Sequence, residues 1–83
     1  MLIVTQNERA VWNCDDMQRL HITSKNTQIN LIAKNGSGGE VASYRSLETC
    51  IAAMQDFVAA CEAGATSYRF LTEDEFNKRR SMR

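Results

Sequence analysis

The sequence predicts an α+β domain in which one small antiparallel sheet of four to five strands carries a single amphipathic helix on one face. Three observations lead there. Between residues 18 and 34 apolar side chains recur at every second position, the period of a half-buried strand. At NGSGG (35–39) asparagine and glycine cluster where a hairpin must turn. From 47 to 63 the apolar spacing changes to threes and fours, the period of a helix lying on a surface.

Each element follows in order. LIVT (2–5) is a short β-branched strand, QNER (6–9) a turn, and AVWNC (10–14) a second strand whose Trp12 covers one end of the core. DDM (15–17) breaks that run. In QRLHITS (18–24) Leu20 and Ile22 point one way, and Arg19, His21 and Thr23 the other. KNT (25–27) turns the chain into QINLIAK (28–34), with Ile29, Leu31 and Ala33 inward. Ile32 breaks the alternation and marks an outer face that is partly covered. Asn35-Gly36 supplies the positive-φ residues of the hairpin into EVASYR (40–45). Ser46 is the N-cap of the helix, Glu48 sits in its positive first turn, and Gly64 is its C′ residue. ATSYRFL (65–71) is the last strand, rejoining the sheet. Residues 1–71 form the domain; the charged tail TEDEFNKRRSMR (72–83) is open to helix or frayed coil.

Two of the three cysteines, Cys50 and Cys61, bracket the helical run CIAAMQDFVAAC. Eleven positions apart on a helix, they share a face but are separated by about 16 Å along its axis. A disulfide needs Cα atoms within about 7 Å, so this pair neither bonds nor shares a metal. They line up with Leu47, Ile51, Met54, Phe57 and Val58, which reads as the core stripe, with cysteine acting as a small hydrophobe. Ala52, Ala53, Ala59 and Ala60 lie opposite, with Thr49 and Asp56. That alanine surface reads either as helix propensity alone or as the close approach of a second helix in a dimer.

Little else suggests chemistry. Cys14, Asp15 and Asp16 with His21 lack the paired spacing of a zinc site. GSGG (36–39) has no following Lys-Ser/Thr and leads into a strand, unlike a phosphate loop. His21 is the only histidine, and no nucleophile is tied to it. Tyr44, Tyr68 and Phe70 would serve as stacking platforms or as packing beneath the helix. We expect no enzyme, no cofactor and no metal. The 83 residues carry ten basic and ten acidic side chains, so no global charge draws the chain to nucleic acid or an anionic membrane. The opening MLIVTQ lacks the basic and cleavage regions of a signal peptide, and no apolar run reaches the roughly 20 residues of a membrane span. With an odd cysteine count, this predicts a cytoplasmic protein with reduced thiols.

The opening MLIVTQ, the Tyr44-x-Ser46-x-Glu48 entry to the helix and the aromatic strand SYRF (67–70) together carry a resemblance. The chain resembles a group of small uncharacterised proteins common in phages and low-GC Gram-positive genomes, over residues 1 to about 71. The resemblance implies an antiparallel sheet with one helix and a phage or mobile-element origin, and carries over no active site.

The function expected is a non-enzymatic protein-interaction or structural module forming a homo-oligomer. Trp12, Ile32, Ala52, Ala53, Ala59 and Ala60 are its candidate interface. The alternative is a nucleic-acid accessory protein whose tail offers Lys78, Arg79, Arg80 and Arg83 to phosphates.

Overall fold

The computed structural model describes residues 1–25 and 27–81, with the side chains of residues 80 and 81 outside that description. The chain runs β1 (Leu2–Val4), β2 (Val11–Asn13), a 3₁₀ turn (Cys14–Asp16), β3 (Met17–Ile22), β4 (Gln28–Ala33), β5 (Gly38–Ser43), α1 (Leu47–Glu62), β6 (Ser67–Arg69) and α2 (Glu73–Ser81). The α+β class stands. The single sheet with one helix does not: the described residues form two three-stranded sheets, ordered β2-β1-β6 and β3-β4-β5, and two α-helices.

Local chemistry explains the division. After β2, the Asn13 side chain accepts from the Asp15 N–H and starts the 3₁₀ turn, so β3 leaves in a new direction instead of extending the ladder. The crossover through α1 then returns β6 parallel to β1, with Ile3 opposite Tyr68. Parallel neighbours require such a connection, so the final strand completes the first sheet. Gln6 joins the two sheets. Its backbone N–H donates to the Val41 carbonyl at 2.8 Å, and its side chain reaches the Ser43 and Leu71 carbonyls.

In the second sheet the alternation holds: Ile29, Leu31 and Ala33 are buried, opposite Ile22, Leu20 and Met17. The β4–β5 turn differs in detail. Only Gly36 takes a positive φ, 89°. Asn35 instead accepts from the Ser37 N–H and hydroxyl, giving the three-residue turn with a left-handed glycine. The turn expected at 25–27 includes Asn26, which lies outside the described residues.

Helix α1 begins and ends where its caps dictate. The Ser46 hydroxyl accepts from the Thr49 N–H. Gly64, at φ 75°, closes a Schellman motif in which the Ala65 N–H donates to Ala60 and the Gly64 N–H to Cys61. The buried face, however, is rotated from the expected one. Thr49, Cys50, Ala53 and Phe57 are inside, whereas Leu47, Ile51, Val58 and Cys61 are exposed. Tyr68 on β6, with Tyr44 and Phe70 immediately after β5 and β6, supplies the bulk of the core opposite the helix. A close-packed interior therefore takes small residues from the helix side.

The tail folds into helix α2 from Glu73 to Ser81. Thr72 and Glu75 form a capping box: the Thr72 N–H donates to the Glu75 carboxylate and the Glu75 N–H to the Thr72 hydroxyl. Arg69 grips the same carboxylate through two bonds of 2.9 and 2.7 Å. Phe76 is thereby lowered into the core, edge-on to Tyr44 at 5.8 Å. The packed structure thus continues past residue 71.

This anchor is sensitive to acid. The Arg69 guanidinium, then the Thr72 N–H, pulls the Glu75 carboxyl down from 4.5 to about 2. A depressed carboxyl contributes stability above its unfolded pKa and loses it as pH falls toward the folded value. Between those values α2 should therefore loosen, read by the NMR shifts of Phe76 and Tyr44. Glu75→Gln should flatten this step; an unchanged acid profile in that variant would refute the assignment.

Candidate interaction surface

Rotation of α1 leaves an unusual outer face. Leu47 is 42% exposed, Ile51 43% and Val58 51%, three of the five large apolar side chains exposed among the described residues. With half-buried Met54 and exposed Cys61 they form a line at 47, 51, 54, 58 and 61. The 4-3-4-3 spacing is that of a coiled-coil seam, two heptads and about 21 Å long. Along one edge run the exposed Glu48, Gln55 and Glu62. Residues 47–62 contain no lysine or arginine. Asp56, the remaining carboxylate, faces elsewhere, accepting from the Tyr68 hydroxyl at 2.7 Å and from Arg79 at 3.0 Å. Among the described residues neither Glu48 nor Glu62 enters an ion pair.

The residues expected to form an interface are not brought together. Ala53 is fully buried, Ala52 and Ala60 are half-buried against the core, and only Ala59 is exposed. The alanine surface is thus largely the inner flank of α1, because the small residues are those the aromatic sheet side can accept. Trp12 packs against the core and forms one wall of an open groove of about 480 Å³, with Val11, Asp16, Lys34 and Asn35. Ile32 is half-buried on the opposite face of its sheet from Ile29 and Leu31. Trp12 and Ile32 therefore belong to different surfaces.

The candidate nucleic-acid contacts fare similarly. Lys78 and Arg79 are exposed on α2, but Arg79 is bonded to Asp56, and Glu73, Asp74 and Glu75 occupy the first turn of the same helix. The Arg80 side chain and all of Arg83 lie outside the described residues. No cysteine forms a disulfide: Cys14 is half-buried, Cys50 buried and Cys61 exposed. Burial pushes the thiols of Cys50 and Cys61 up, away from the reactive thiolate. No group of three or more histidines, cysteines or carboxylates is positioned to hold a metal among the described residues. Nor is any helix there long and apolar enough to cross a membrane.

One cluster had no sequence signal. On the outer face of β3 and β4 and just beyond it, the His21 Nδ1, Thr23 Oγ1 and Asn30 Oδ1 atoms are shielded from solvent and have no hydrogen-bond partner among the described residues. His21 and Asn30 are direct cross-strand neighbours. Leaving such groups unsatisfied costs about 1–3 kcal/mol each.

No family model, curated protein or solved structure matches this chain.

Proposed function

We propose that this chain is a non-enzymatic protein-interaction module. The observation that supports this reading is the exposed apolar seam of α1, laid out at coiled-coil spacing on a helix capped at both ends. Covering the exposed halves of Leu47, Ile51 and Val58 would contribute about 3 kcal/mol. A micromolar complex requires about 8 kcal/mol, so the remainder must come from further burial and from polar contact at the rim. The test is a photo-crosslinking residue introduced at position 51 or 58 in living cells. Discrete protein adducts are expected at both positions and none from the same residue at Lys34 on the exposed β4–β5 turn. Equal labelling at all three positions would remove the basis for the proposal.

A second reading, self-association into a homo-oligomer, is favoured by the open edge of β3. The Thr23 N–H donates to Gln28, and pairing in an antiparallel ladder alternates. By register, the N–H and C=O groups of Leu20 and Ile22 therefore point away from β4. The three unsatisfied atoms of His21, Thr23 and Asn30 lie beside that edge. Light scattering in reductant separates the two surfaces. A dimer that persists in Ile51→Glu would support contact through β3 and leave α1 available.

A further inference from the structure

The seam of α1 also carries information about its occupant. We propose that it receives a basic amphipathic helix from another protein, an inference that rests on the interaction reading above. Charge decides between this and a second copy of the chain. If two α1 helices met antiparallel about a two-fold axis near Gln55, Glu48 of one copy would face Glu62 of the other, twice. Like charges so placed oppose pairing. If they met in parallel, the acidic edge of one helix would meet the Cys50–Phe57 edge of the other, which is buried against the sheets and offers no cation. Neither orientation supplies a positive partner for Glu48 and Glu62, and α1 has no lysine or arginine to supply one.

A helix with two heptads of Leu or Ile and with Lys or Arg beside them satisfies both features at once. Its apolar residues enter the holes along 47, 51, 54, 58 and 61, and its cations lie against the exposed carboxylates. The same acidic edge disfavours an anionic membrane surface or a nucleic-acid backbone as occupant.

The experiment uses two synthetic helical peptides with identical Leu/Ile seams, one flanked by lysine and one by glutamate. Fluorescence anisotropy reads their binding to the full chain in reductant. The lysine peptide should bind about fivefold tighter or better at low salt, and the advantage should shrink as salt is added. Glu48→Lys/Glu62→Lys should reverse the preference, and Ile51→Glu should abolish binding of both peptides. All these positions are exposed, and circular dichroism of each variant verifies the fold. Equal binding of the two peptides, or a preference that survives the charge reversal, would overturn the basic-helix assignment while leaving an interaction surface. No binding of either peptide, with a native dimer that Ile51→Glu dissolves, would overturn it in favour of a second copy. Loss of the position-dependent crosslinks would instead count against the interaction reading itself.

Discussion

Phe70→Ala is expected to destabilise the fold by about 3–5 kcal/mol, the range for truncating a fully buried phenylalanine. Phe70 has no exposed surface. Its ring lies 5.0 Å from Tyr68, nearly perpendicular, and 6.0 Å from Phe57, nearly parallel. It is the point where β6, α1 and the strand cores meet, so the cavity cannot be filled by movement of one element alone. Domains of this size have stabilities at the low end of about 5–15 kcal/mol. The variant should therefore melt about 12–40 °C lower or populate the unfolded state at room temperature. Urea unfolding followed by circular dichroism measures it. A loss below about 1 kcal/mol would mean that the aromatic cluster is not the centre of the core.

The second large effect is expected at Asp56. Its two oxygens hold three elements together: α1 itself, β6 through the Tyr68 hydroxyl, and α2 through Arg79. Burial, then the bond to Asp56, pushes the Tyr68 phenol well above its ordinary range, so it remains a donor. Asp56→Ala strands that hydroxyl in a residue only 8% exposed. The expected cost is about 2–3 kcal/mol, as for a buried bond to a charged acceptor. Tyr68→Phe in the Asp56→Ala background should recover much of it, because removing both partners leaves nothing unsatisfied. Additive losses in that double-mutant cycle would show that the bond contributes little.

The sequence exposed some of this architecture and hid the rest for physical reasons. The strand alternation at Ile29, Leu31 and Ala33 and the caps of α1 at Ser46 and Gly64 are local signals, and the structure follows them. The buried face of α1 differs from the stripe its spacing predicts because the largest apolar side chains are not the buried ones. Leu47, Ile51 and Val58 look like a core stripe, but bulk from Tyr44, Tyr68 and Phe70 leaves room only for Cys50, Ala53 and Thr49 beside Phe57. That complementarity is a property of the tertiary contact and no single helix reveals it. The pairing of β6 with β1 is likewise non-local. Helix α2, by contrast, was legible in principle: Thr72-x-x-Glu75 is a capping box, and Phe76 follows directly. The acidic and basic runs around it masked that signal.

Helix α1 does more than cross from one sheet to the other: it fixes an order of assembly. Residues 17–43 contain the whole of the second sheet, closed by short turns. The first sheet is different, because Leu2 pairs with Ser67, sixty-five positions later. Contacts at short separation form before the entropy of a long loop is recovered. The meander of residues 17–43 therefore has the entropic advantage over the pairing of β1 with β6, which needs the chain through Arg69. A meander formed first would leave the apolar wall of Ile29, Leu31 and Val41 facing solvent until α1, β6 and Phe76 close over it.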